Sequence, residues 1–199
     1  MPTFISFTLG LSLALFSTQL IAQDTSHSGH ASPYAGFETR AIKSLSQDDI
    51  EELRRGGGWG LALAGELNGA PGPAHLLELK DEIGLSPEQV AAIQDIFTEM
   101  QAEAIAAGKK FIVAEKALDA AFIAGNLTNS GLRILIDDAQ AARSHLRFVH
   151  LSRHLSTPPL LSQNQIERYK TLRGYGNDPC AQAPQGHDAE MWRKHNGCG

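Results

Sequence analysis

From residue 90 onward, apolar side chains recur at steps of three and four. Val90, Ile93, Phe97, Met100 and Ala104, then Phe111, Leu118 and Phe122 beyond Gly108, form one stripe. That spacing is the period of an amphipathic helix, with Gly108 as a candidate kink. Residues 125–128 read as a turn. Leu132, Leu135, Ile136, Ala139, Leu146, Val149 and Leu151 then carry a second long helix toward Leu155, and Pro158-Pro159 stops it. Shorter elements flank this pair. A helix over 47–55 follows Ser46 as N-cap, with Asp48, Asp49, Glu51 and Glu52 in its early turns, where the helix dipole favours negative charge, and Gly56-Gly57-Gly58 ends it. Residues 59–73 combine Gly and Pro with Leu61, Leu63 and Leu67, the pattern of an ordered loop packed on the body. A short helix is predicted over 74–83, closed by Gly84, and a last one over 163–172, closed by Gly174. The expected fold is all-α: an antiparallel hairpin of two long helices closed by shorter ones, with flexible termini.

Two of these helices begin in the same way. In Leu85-Ser86-Pro87-Glu88-Gln89, Ser86 is the N-cap, Pro87 takes the first helical position, and Gln89 reaches back to complete a capping box. Leu161-Ser162-Gln163-Asn164-Gln165 repeats it, with Ser162 and Gln165 as the box. Leu85 with Val90 and Leu161 with Ile166 act as hydrophobic staples. The pentapeptide explains why a helix starts and carries no chemistry of its own.

Before the helices, residues 1–22 are dominated by an apolar run and end in Ala22, the pattern of a secretory signal; an uncleaved anchor is the alternative, since no Lys or Arg precedes the run. Residues 23–33 are too polar to fold and read as a disordered lead-in. One domain is expected over 34–176, followed by a flexible tail over 177–199. A formal net charge of -5 sets nucleic acid aside as a partner, because such binders concentrate basic residues on one face. The two Cys both lie in the tail, so disulfides do not build the core. No Ser-His-Asp, reactive-Cys or phosphate-loop pattern is visible, which argues against an enzyme.

The two L-[ST]-x-x-Q helix starts in an all-helical chain with an export signal resemble the LTxxQ family of periplasmic proteins. The likeness runs from about Tyr34 to Gly176 and takes in 60–69, 71–75, 100–107, 145–155 and 169–176. Ser86 and Ser162 stand where the family usually has Thr, and either hydroxyl caps. The family includes Spy-like and CpxP-like refolding chaperones and periplasmic heavy-metal sensors, and the likeness is to the sensor branch. It implies periplasmic localisation, reversible binding of metal ions or unfolded proteins, a membrane sensor or antisigma protein as a further partner, and a homodimer as a candidate assembly.

His150 and His154 are four apart on a helical run and share a face, the spacing of a two-imidazole chelate. Leu151 stands where a zinc-protease motif needs its catalytic Glu, so hydrolysis by that route is excluded. Counting back from a hairpin tip at 125–128 places His150 across from Glu103 and His154 across from Glu99. The resulting two-His, two-carboxylate set suits Zn, Ni or Co, while Cu or Zn suits the softer donors of the tail, and none of them is required for the fold. Ordinary helix-surface salt bridges are the competing reading. In the sensors a His-x-x-x-His or His-x-x-x-Met pair just before an LTxxQ turn supplies ligands. By that resemblance His75 is a further candidate, although Leu79 occupies the place of its partner. In the tail, His187, Met191, His195 and Cys198 form a second candidate metal set, with a Cys180–Cys198 disulfide as the alternative.

Overall fold

The structure is a computed structural model that describes residues 32–175, 183, 188–195 and 197–198. The signal segment 1–22, nearly all of the lead-in, Cys180 and His187 lie outside the described residues. The chain divides into two units, Met1–Ala35 and Gly36–Gly199. Of the first, only a turn is described, in which the Ala35 amide donates to the Ser32 carbonyl at 2.9 Å.

In the second unit the helices are α1 (Gln47–Arg54), α2 (Leu63–Glu66), α3 (Pro73–Glu78), α4 (Lys80–Ile83), α5 (Pro87–Ala124), α6 (Asn129–Ser156), α7 (Gln163–Leu172) and α8 (Ala189–His195). The long pair α5 and α6 packs antiparallel, as the apolar stripes require, and shorter helices gather at its base. No described helix is long and apolar enough to cross a membrane.

Several local expectations change. The 59–73 segment is partly helical, since α2 forms within it and α3 begins at Pro73. The predicted 74–83 helix is two short ones, interrupted at Leu79, where φ -103 and ψ 19 leave the helical region. Helix α8 lies in the segment read as a flexible tail. Helix α5 runs unbroken for 38 residues through Gly108. A Cβ there would sit 2.5 Å from the Leu53 carbonyl oxygen, so glycine lets the end of α1 rest on the α5 backbone.

Two apolar cores result. One joins Ile42, Leu45, Ile50, Leu53 and Leu61 to Met100, Ala104, Ala107 and Phe111 of α5 and Leu146 and Val149 of α6. The other joins Leu76, Ile83, Ile93 and Tyr169 across α3, α4, α5 and α7. Toward the hairpin tip no residue between Phe111 and Ala139 is buried. Among the described residues, Lys43 and Ser44 also reach this stretch, at Asp119 (3.8 Å) and Glu115 (2.6 Å), and Ile112 packs partly buried on the first core.

The repeated helix starts meet in space. Both capping boxes form, with Ser86 and Ser162 as N-caps and Gln89 and Gln165 returning to the N-cap amides. The two glutamines also bond each other: Gln89 Nε2 donates to Gln165 Oε1 at 3.0 Å and Gln165 Nε2 donates to Gln89 Oε1 at 2.9 Å. Each amide spends its other proton on the carbonyl just before the opposite motif, Gln89 on Leu160 at 2.7 Å and Gln165 on Gly84 at 3.1 Å. The two copies of the pentapeptide thus form a reciprocal clasp.

Candidate functional site

Between the two cores, residues 52–75 fold over the bases of α5 and α6 and leave a cavity of about 440 Å³. That volume falls in the range of small-ligand pockets. Its walls include the glycine-rich loop 56–60, Trp59, Phe97 and Met100, and its ionisable groups are Glu52, Arg55, Glu66, His75, His150 and His154.

Trp59 is a non-glycine residue at positive φ (44°), a conformation that persists only where the surroundings over-determine it. They do so here. Its amide donates to Glu52 Oε1 at 2.9 Å, its indole Nε1 donates to Asp49 Oδ1 at 2.8 Å, and its ring lies 5.5 Å from that of Phe111.

Glu66, at the end of α2, is 4% exposed. Its Oε1 accepts from the Tyr169 hydroxyl and from the Tyr175 hydroxyl at 2.8 Å. His75 Nδ1 lies 3.3 Å from the same oxygen and Arg173 Nε 3.4 Å from it. Burial by itself pushes this carboxyl up, but hydrogen bonds from His75, Tyr169 and Tyr175 outweigh it and bring the pKa down to about 2. Tyr169 moves the opposite way, raised by burial and by the carboxylate beside it. Glu66 is thus an ionised hub that ties α2 to α7 and to Tyr175. Its Oε2, by contrast, is buried without a hydrogen-bond partner, 3.9 Å from His154 Nδ1.

His154 is buried on α6, with Nδ1 2.6 Å from the Ala70 carbonyl oxygen. That contact places the proton on Nδ1 and leaves Nε2 as the lone-pair nitrogen of the neutral ring. The ring fits because Gly65 and Gly72 have no side chains: a Cβ at Gly72 would come within 2.5 Å of His154 Nε2, and one at Gly65 within 2.8 Å of its Cβ. One turn earlier, His150 is 3% exposed, and its Nε2 has no hydrogen-bond partner. Burial lowers the pKa of this imidazole and the neighbouring His154 adds to the effect, while the Gly57 backbone and Glu52 pull it upward.

The sequence-derived ligand set is therefore divided. His150, His154 and His75 line one cavity. Glu99 and Glu103 stay on the exposed side of α5, and Glu103 pairs with Arg153 at 2.9 Å. The hairpin register sets Arg153, not a histidine, across from Glu103, which turns His150 and His154 inward. Both nitrogens of His75 are engaged, Nδ1 with Glu66 and Nε2 with Arg173 Nη2 at 3.4 Å. Among the described residues, no three His, Cys, Asp or Glu side chains gather as a metal-holding group. In the tail, Met191 and His195 are exposed on α8 and Cys198 carries no free thiol. Glu66, Tyr169, Arg173 and Tyr175 escape a sequence reading because neither helical period nor motif spacing relates a loop carboxylate to groups 103 and 109 residues later.

Compared with protein-family models, with curated proteins and with solved structures, the chain matches none.

Proposed function

We propose that the protein acts by reversible binding of a transition-metal ion at the His150–His154 pair, as a sensor or buffer of metal in envelope stress or metal resistance. The observation that carries this reading is the buried His150 imidazole, whose Nε2 lacks a partner and which shares a cavity with His154 one turn away. An unpaired buried polar nitrogen costs on the order of 1–3 kcal/mol, a penalty that an ion taking its lone pair removes. The Ala70 carbonyl on His154 Nδ1 is the kind of outer contact that orients a ligating imidazole. Two protein nitrogens leave the remaining coordination positions to exchangeable ligands, which suits reversible capture better than a structural site. The apolar segment 1–22 supports export to the periplasm, and the paired L-S-x-x-Q starts support the resemblance to LTxxQ proteins. A membrane sensor or antisigma protein remains the proposed recipient of the signal.

Calorimetric titration of the purified protein with Zn, Ni, Co and Cu tests the reading. Binding of roughly micromolar strength, about -8 kcal/mol, is expected, and it is lost in His150→Ala/His154→Ala. Loss only on truncation after Gly176 moves the chemistry to the tail, and no binding in any form rejects a metal function.

A second reading rests on a different observation. Val113, Phe122, Ile123, Ile134, Phe148 and Leu155 are large apolar side chains exposed on the hairpin helices, the kind of surface that holds unfolded polypeptide. A chaperone of this type suppresses client aggregation equally with or without the histidine pair, whereas a metal sensor does not suppress it.

A further inference from the structure

We propose that the metal ion enters this cavity as a complex with a small organic acid, a hydroxy- or amino-carboxylate chelator, and that the chelator is recognised together with the ion; the inference rests on the metal-binding reading above. The size of the cavity is the first ground. At about 440 Å³ it lies in the range of pockets that enclose small organic molecules. A water occupies about 30 Å³ in the liquid, so about four waters around an ion on the two imidazoles would fill only about a quarter of the space. The supply of donors is the second ground. His150 and His154 offer two nitrogens, and although Glu52 and Glu66 line the same cavity, no three His, Cys, Asp or Glu side chains among the described residues gather into a metal-holding group. An ion on the histidine pair therefore draws its remaining donors from outside the chain.

The lining residues indicate what carries those outside donors. Trp59, Leu63, Phe97 and Met100 line the cavity, and side chains of this kind are covered better by an organic skeleton than by water. Glu52 Oε1 accepts from the Trp59 amide, and Glu66 Oε1 is shared among Tyr169, Tyr175, His75 and Arg173. Arg55 also lines the cavity, is exposed, and forms no ion pair with an acid of the described residues. Its planar guanidinium is left for a ligand, and the group that matches it, with two parallel hydrogen bonds, is a carboxylate. Burial sets the order of entry: the histidines are 3% and 8% exposed, so the ion leads and a carboxylate trails at Arg55. The chelator's carboxylates also offset the charge of a dication, which lowers the cost of taking it out of water.

Equilibrium dialysis of the purified protein tests this, with Ni(II) alone, with Ni(II) and radiolabelled citrate, with Ni(II) and radiolabelled L-histidine, and with each labelled acid without metal. Wild type, Arg55→Ala and His150→Gln/His154→Gln are compared, and Ni(II) retained by the last is subtracted as tail binding. The expected result is that one of the acids is retained in equal amount with the His-dependent Ni(II), and that neither acid is retained without metal. Arg55→Ala weakens binding of the acid–Ni(II) complex by about 10-fold or more, the cost of a lost hydrogen bond to a charged group. It leaves binding of Ni(II) alone unchanged, a split that a merely structural role for Arg55 does not produce. Equal retention of the complex by Arg55→Ala overturns the recognition by Arg55. His-dependent retention of Ni(II) with neither acid, or retention of an acid without metal, overturns the inference and leaves the metal-binding reading to stand or fall by its own titration. Absence of His-dependent Ni(II) under every condition rejects that reading for this ion and the inference with it.

Discussion

Tyr169 donates its hydroxyl to a buried, ionised Glu66, and hydrogen bonds to a charged acceptor contribute about 1.5–3 kcal/mol. Tyr169→Phe keeps the ring in the second core and removes only that donor. It should lower the unfolding free energy by about 2 kcal/mol, read from the urea midpoint at unchanged slope. A loss close to zero would mean that Tyr175, His75 and Arg173 alone satisfy the carboxylate. At this scale the sequence is legible where a residue's task is local. Ser46, Ser86 and Ser162 all cap as their neighbours imply, because an N-cap needs only the next three residues. Glu66 is illegible for the converse reason: it sits among Gly, Ala and Leu, and every side chain that makes it a hub arrives from elsewhere in the chain. Gly108 belongs to the same class. Read along one helix it is a weak point, and only the approach of Leu53 shows it to be a contact.

The positions of the elements are more legible in the sequence than their mutual rotation. Apolar steps of three and four locate α5, α6 and α7 because burial of one helical face leaves a periodic trace. The turns around α2 to α4 leave no such trace, since helices of four to six residues are too short to show a period. Distance from the hairpin tip gives the level of each residue but not the direction in which it faces. Counting from the tip therefore sets Glu103 across from His150, whereas in the fold it meets Arg153. The glutamine clasp yields a prediction at this scale. Gln89→Ala removes a capping-box partner and half of the reciprocal pair, and Gln165→Ala does the same from α7. Their effects on stability should be non-additive, with an interaction energy of about 0.5–3 kcal/mol in a double-mutant cycle. Strict additivity would make each glutamine only a local cap.

For the second unit as a whole, acid is the informative perturbant. Glu66 has a folded pKa of about 2 against an ordinary value of 4.5, so its carboxylate is favoured by folding. The sign is that of a depressed acid: the contribution is complete above about pH 4.5, falls as pH drops toward 2, and is gone below it. At about 1.4 kcal/mol per unit the total is on the order of 3 kcal/mol. Stability measured by urea unfolding should decline over that window in wild type and decline less in Glu66→Gln. Equal slopes would assign the acid limb to other carboxylates. The all-helical hairpin follows from the pattern of the chain, but the cavity does not, because it is built by a glycine-rich segment folding back onto α6. The clasp has one more consequence. It fastens the two ends of the long hairpin at its base, and no residue between Phe111 and Ala139 is fully buried. Hairpin length is therefore a free variable: whole helical turns removed in matched pairs from α5 and α6 near the tip should leave base, clasp and histidines undisturbed.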